Sequence, residues 1–409
     1  MERQCARFYA ERMGRPSLAP GRYFRLLLIG HCAGTDSERR IAWRAADSLA
    51  LRSFLGVGLN EMPPAHSTIS RTRRLIDVET HQAVFRWVLE LLAEKGLRRG
   101  KTVGIDATTL EANAALRSIV RRDTGEGYEE FLRRLAQESG IATPTREQLA
   151  KLDRKRAHKG SNEDWVNPHD PEAGVAKLKD GRTHLAYKAE HVVDLETGAV
   201  VAVTVATGDA GDTATILETL PEAGEHIAEV ACATNNEKVG ERVHAQGPVE
   251  AVADKGYHSN DSLQALGEAA VRTYISEPDR GQRHWQNKSE ARQAVYSNRR
   301  RIRGQHGKQL LRRRGELVER SFAHTYETGG TRRVHLRGRE NVLKRLLIHV
   351  GGFNLLLAMR KQLGKGTPRG FQGFSADALL IFLWFWIAAL APTVEEGVLL
   401  PMFTASKTC

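Results

Sequence analysis

Two aspartates each end an apolar, β-branched run of the sequence, at Ile105-Asp106-Ala107 and Ala253-Asp254-Lys255. A carboxylate at a strand end in an α/β sheet points toward the crevice where such sheets bind ligands. Either residue alone could simply cap a neighbouring helix or turn. Together, on strands expected to be neighbours in one sheet, they offer oxygen ligands to hard divalent cations, as phosphoryl transfer requires. A third carboxylate is expected on the helix after the last strand, within Arg312-Arg313-Arg314-Gly315-Glu316-Leu317-Val318-Glu319-Arg320-Ser321-Phe322-Ala323-His324. Leu311, Val318 and Phe322 form the apolar stripe of that helix at i, i+7 and i+11. Glu319 lies beside the stripe, with the small residues Gly315 and Ala323 one turn away on either side, which allows close approach to a strand. Glu316 lies one turn earlier on nearly the same face and is its rival. Both glutamates could instead pair with arginines on a charged surface helix.

The elements that must position these groups follow from the hydrophobic pattern. Lys101 to Thr109 reads as a strand after the turn at Arg99-Gly100. Leu185 to Leu195 and Ala199 to Val205 read as a hairpin closed by Glu196-Thr197-Gly198. A helix from about Thr213 to Leu220, a strand Val249 to Asp254, a helix Asp261 to Ala269 and a strand Val271 to Ile275 complete a mixed five-stranded α/β sheet flanked by helices. Residues 99–370 would form this domain, interrupted after its first strand by a polar, mostly helical insertion at about 117–182. Residues 1–98 read as a helical domain with apolar residues near a 3.6-residue period. Inside it Pro63-Pro64 breaks the chain, Ser67 or Thr68 is expected to cap the next helix, and Ser70, Arg71, Arg73 and Arg74 follow on it. A break followed by a basic helix suits a helix-turn-helix reader of DNA, although a solvated basic helix on a bundle has the same pattern. Residues 371–409 look like an appended tail, whose apolar run Ala378 to Ala391 is shorter than the roughly 20 residues of a membrane span.

The charge balance points to a polyanionic partner. Sixty-one Lys and Arg against 49 Asp and Glu leave a formal net charge of +12, and each phosphate contact gains from counterion release. Ribosomal and membrane-surface proteins share such a surplus, but no membrane association is expected. Arg299, Arg300, Arg301 and Arg303, with Arg312, Arg313 and Arg314, would form a phosphate-binding surface leading to the carboxylates. Lys255 and Tyr257, just after Asp254, are placed to touch a phosphate or a base. Cys5, Cys32, Cys232 and Cys409 form no CxxC pair, which argues against a zinc knuckle or a disulfide framework and fits a reducing cytosol.

Three stretches resemble the catalytic blocks of bacterial insertion-sequence DDE transposases: Gly104-Ile105-Asp106-Ala107-Thr108-Thr109-Leu110-Glu111-Ala112-Asn113, Ala253-Asp254-Lys255-Gly256-Tyr257 and Val318-Glu319-Arg320-Ser321-Phe322-Ala323. The stretch through Ser67-Thr68-Ile69-Ser70-Arg71 resembles the InsH-type N-terminal domain of the same group. The resemblance implies a ribonuclease H-like core in which Asp106, Asp254 and Glu319 are the catalytic, metal-holding residues for Mg2+ or Mn2+. It implies double-stranded DNA as partner, both the transposon inverted repeats and the target, with a homodimer or larger synaptic complex on that DNA. One departure bears on the glutamate. Relatives carry an Arg four positions before it; here Gly315 stands four before Glu319 and Arg314 five, whereas Arg312 stands four before Glu316. A later Lys is replaced by Arg332 and Arg333 as the nearest cations. A nuclease of the same core without strand transfer, and a DNA-binding remnant without catalysis, remain alternative readings.

Overall fold

The computed structural model describes residues 5–9, 17–97, 99–156, 160–178, 181–233, 243–244, 246–281 and 283–364. The tail expected at 371–409, with its apolar run, lies outside them.

The N-terminal part is helical: α1 (Pro20–Ala33), α2 (Glu38–Asp47), α3 (Leu49–Leu55), α4 (His66–Leu75) and α5 (Val78–Glu94). Ser37, Ser48 and Asp77 cap α2, α3 and α5 by accepting the N–H groups of Arg40, Leu51 and Thr80. The expected cap of α4 is corrected. The helix starts at His66, with Ala65 at the N-cap, so Ser67 and Thr68 already lie in its first turn. Proline disfavours helix in the residue before it, which keeps Met62 and Pro63 out of helix ahead of α4.

The chain then enters β1 (Thr102–Glu111) and leaves the sheet for the insertion, β2 (Val120–Arg121), α6 (Tyr128–Glu138), α7 (Arg146–Lys155) and β3 (Trp165–Val166). Trp165 is the pivot of the insertion, buried with Phe131 edge-on at 5.3 Å and Tyr128 at 4.8 Å. The chain returns through β4 (Gly174–Lys177) to β5 (Thr183–Asp194), β6 (Val200–Thr207), α8 (Asp212–Ala233) and β7 (Glu250–Ala253). A single 3-10 turn, Lys255–Tyr257, leads to α9 (Asn260–Glu268) and β8 (Arg272–Ile275). Then come α10 (Ser289–Arg303), α11 (Gln305–Phe322), a π-helical turn Ala323–Thr328 and α12 (Arg339–Leu363).

The main sheet has six strands rather than the expected five, because β4, inside the polar insertion, pairs antiparallel with β5. Along the sheet the order is β4-β5-β1-β7-β8, with β6 also on β5. β1 runs antiparallel to β5, with Asp106 opposite His191 and Ala107 opposite Glu190. β1, β7 and β8 are parallel to one another. β5 is buried along nearly its whole length although it carries Lys188, Glu190, His191 and Asp194, and each of these finds partners. Alternation sends Lys188 and Glu190 to the face covered by α8, through Thr215, and His191 to the face covered by α11, through Ser321. Asp194 accepts the N–H groups of Arg99, Gly100 and Glu196, closing the hairpin turn.

α8 corrects a second expectation. The helix was expected to stop at Leu220, before Pro221, but it runs on to Ala233 with Pro221 inside. An interior proline costs about 3 kcal/mol. Burial of Ala223, Ile227 and Val230 beyond it, continuing the face of Ile216 and Leu220, opposes that cost. The N-terminal helices and the sheet share one core: Phe85, Leu89 and Leu92 of α5 cluster with Val103 and Ile105 of β1 and with Leu346, Leu347 and Val350 of α12. α12 is long and apolar enough to cross a membrane by length and composition, but it is mostly buried against α1, α5 and β6. Asn354 on it bonds both the N–H and the C=O of Val200 at 2.9 and 2.7 Å, holding β6 in place.

Candidate active site

The parallel pairing of β1 with β7 matches Gly104 to Val252, so Asp106 and Asp254 each lie two residues further on and level with one another. Asp254 follows the last residue of β7, whereas Asp106, expected at a strand end, stands midway along β1, which runs on to Glu111 beside β5. α11 crosses β1, β5 and β7 on the face that Asp106 shares with His191. His191 clamps it there: Nδ1 meets Ser321 Oγ at 2.9 Å and Nε2 meets Tyr326 Oη at 2.7 Å, with the Phe322 ring 4.9 Å away. Glu319 thus stands on α11 two residues before an anchored serine, and it is exposed.

Asp106 is mostly buried. Oδ1 accepts the N–H of Ala107 at 2.9 Å, and Oδ2 lies 2.9 Å from Arg314 Nη2. Burial pushes its carboxyl up from 3.8 to about 6; Arg314 pulls it down, and the charges of Asp254 and Glu319 push it up again. Asp106 therefore lies in the electrostatic field of both other expected carboxylates. Glu316 points elsewhere, pairing with Arg320 at 2.8 Å on the exposed side of the helix. Among the described residues no three His, Cys, Asp or Glu side chains group closely enough to hold a metal ion between them. The donor chemistry nevertheless fits a hard divalent cation. The three groups are carboxylates, and the crowding of like charge around Asp106 is what such a cation relieves.

The basic residues divide into two sets. Arg71 and Arg74 on α4, Lys255 after Asp254, Arg300 and Arg303 on α10, and Arg312 and Arg313 on α11 are exposed. Ser70 is half-buried and accepts from Arg73 Nη2. The others are taken up by the protein itself. Arg73 is buried, ion-paired with Glu38 and bonded to Asn341 at 3.2 Å. Arg299 grips Glu277 through two bonds of 2.8 Å, and Arg301 donates to the carbonyl and hydroxyl of Thr273. Tyr257 is buried, with its hydroxyl donating to Glu190 Oε1 at 2.7 Å. In this arrangement Arg73, Arg299, Arg301 and Tyr257, all expected at the DNA, are engaged with partners inside the protein. Each has a protein partner distant in sequence.

Arg314 was expected only as a phosphate contact, and its side chain lies against Asp106. Its stem passes over Gly104, where a Cβ would stand 3.0 Å from Arg314 Cγ and 2.7 Å from Leu195 Cδ2. Arg332 donates to Thr108 Oγ1 at 2.8 Å and to Thr109 O at 3.2 Å, fixing a second guanidinium along β1. Residues that local sequence did not single out are Lys188, Glu190 and Asp212. Lys188 Nζ lies 2.5 Å from Asp212 Oδ1, and Glu190 is buried. A charged pair at i, i+2 inside a strand of valines was the available signal.

The family of the transposase DDE domain matches residues 105–355, more than half of the chain, and the Transposase domain (DUF772) matches residues 1–75. No curated protein and no solved structure is matched by the chain. Proteins with the transposase DDE domain act on DNA and generally use divalent metal ions. With its carboxylates on β1, just after β7 and on α11, the chain belongs to this family and is a DDE-type transposase with a ribonuclease H-like fold.

Proposed function

We propose that this transposase binds the terminal inverted repeats of an insertion sequence, hydrolyses a phosphodiester at each end and joins the freed 3′-hydroxyl to target DNA. The observation that carries the reading is the position of Asp106, whose carboxyl feels both Asp254 and Glu319 just beyond the parallel pairing of β1 with β7. Asp106, Asp254 and Glu319 would hold Mg2+ or Mn2+. Divalent ions bound there activate the attacking oxygen and stabilise the leaving one. The protein's own part is positioning and charge. Arg300, Arg303, Arg312 and Arg313, all exposed, bind backbone phosphates and set the register of the duplex. Lys255, exposed beside Asp254, contacts the phosphate nearest the reacting bond. Arg71 and Arg74 on α4 contact the repeats at a distance from the reacting bond. Two ends must be brought together, so the working form on DNA is a homodimer or a larger complex.

The test is magnesium-dependent cleavage of a duplex carrying the element's own inverted repeat. Asp254→Asn should abolish cleavage while retaining binding in a mobility-shift assay; full cleavage by that variant overturns the assignment. Cleavage without any strand-transfer product would reduce the activity to that of a nuclease.

A further inference from the structure

The short turn that carries Asp254 is held from the far side of the sheet. Asp254 is the N-cap of the 3-10 turn Lys255–Tyr257, and its Oδ1 accepts the N–H of Gly256 at 2.9 Å. A three-residue turn at the end of a four-residue strand has little of its own to fix its direction. Tyr257 supplies the anchor. Its ring is buried, and its hydroxyl donates to Glu190 Oε1, on the sheet face opposite the one that Asp106 shares with His191. Glu190 pairs across the sheet with Ala107, the residue after Asp106. The bond therefore ties the turn of one aspartate to the strand pair of the other.

A second contact steadies the same turn. Glu190 Oε1 also accepts from Thr215 Oγ1 at 2.8 Å, and Thr215 accepts from Lys188 Nζ at 3.1 Å. Lys188 Nζ is bonded to Asp212 Oδ1 and to the carbonyl of Ala210. Asp212 Oδ2 then packs so closely on Gly256 that a Cβ there would collide with it. The layer runs Tyr257, Glu190, Thr215, Lys188, Asp212 and back to Gly256, closing a ring around the turn.

We propose that Tyr257 is a positioning residue, which through Glu190 sets the direction of the Asp254 carboxylate relative to Asp106. The inference rests on the reading of Asp106 and Asp254 as metal-holding groups. Partners one step removed from metal ligands commonly change metal affinity or activity by about 10- to 100-fold when lost.

Tyr257→Phe deletes the hydroxyl and keeps the ring. In the full-length protein bound to inverted-repeat DNA, it should weaken Mn2+ binding, read directly by electron paramagnetic resonance, by about 10-fold or more. It should also lower kcat for cleavage while leaving KM for DNA unchanged. Glu190→Gln retains an acceptor for the hydroxyl and should lose less than Tyr257→Phe. The double variant should lose less than the sum of the two single losses, because both changes touch the Tyr257–Glu190 bond. Wild-type Mn2+ binding and kcat in Tyr257→Phe would overturn the inference, as would fully additive losses in the double variant. Mn2+ binding by the wild type that survives Asp254→Asn unchanged would instead overturn the underlying reading of the site.

Discussion

Arg314 lays its guanidinium against both the side chain and the strand of Asp106: Nη2 is 2.9 Å from Oδ2, and Nε and Nη2 donate to the carbonyl of Ile105 at 2.9 and 2.7 Å. Both partners are largely buried, with 11% and 18% of their side chains exposed. The arginine thus does two things at once. It anchors α11 to the edge of β1 through a backbone carbonyl, and it offsets part of the charge that burial makes costly on Asp106. Gly104 is what lets its stem lie so close to the strand.

Arg314 does not offset that cost fully, which gives a pH dependence with a defined sign. The Asp106 carboxyl is raised from 3.8 to about 6, chiefly by burial, with Asp254 and Glu319 adding to burial and Arg314 opposing it. A carboxyl raised in the folded state stabilises the fold where it is protonated, and that contribution is lost as pH rises through the folded value. In chelator, stability should therefore fall as pH rises from about 4 through about 6. At 1.36 kcal/mol per pK unit the effect is about 3 kcal/mol. Asp106→Asn, uncharged throughout, should flatten this slope, whatever its stability at any one pH. Urea titrations from pH 4 to 8 check it; parallel curves for the two proteins would contradict the placement of Asp106.

The two glutamates of α11 should differ sharply. Glu319→Gln removes a charge that Asp106 feels, and cleavage should fall by at least about 1,000-fold if that charge holds the metal. Glu316→Gln breaks only an exposed i, i+4 pair with Arg320, worth about 0.3–0.5 kcal/mol, and should leave cleavage within about twofold of the wild type. Single-turnover rates on one inverted-repeat substrate decide between them. Loss of activity in Glu316→Gln with retention in Glu319→Gln would reverse the assignment.

Much of this site was legible before any coordinates because its signals are local. β1, β5, β6, β7 and β8 are runs bounded by turns, and Asp254 announces itself at the end of β7, whereas Asp106, read as a strand end, stands midway along a β1 that continues to Glu111. What was hidden depends on partners distant in the chain. Arg73 reads as a DNA contact until Glu38 and Asn341, 35 and 268 residues away, are seen to occupy it. Tyr257 reads as a contact to a phosphate or a base until Glu190 arrives from β5. β4 was concealed by its setting, since four residues within a polar insertion carry no strand periodicity. The helix expected from about Thr213 to Leu220 runs on through Pro221 to Ala233 because a buried face continues past the proline. In each case a local preference was outweighed by tertiary burial or pairing, which no short window of sequence contains.

Arg71, Arg73 and Arg74 lie within four positions on α4, and the structure separates them. Arg73 and Glu38 have side chains only 8% and 12% exposed, so removing one partner strands a buried charge. Arg73→Ala should cost about 3–5 kcal/mol of stability, seen as a lower urea midpoint in the absence of DNA. Arg71 and Arg74 are exposed, and their replacement by alanine should change stability by no more than about 0.5 kcal/mol. Each should weaken DNA binding and reduce the slope of log K against log salt by about 1. Affinities for the inverted repeat measured between 50 and about 200 mM salt resolve that slope. If Arg71→Ala and Arg74→Ala leave both affinity and slope unchanged, α4 is not on the DNA, and the repeats are held by the arginines of α10 and α11 instead.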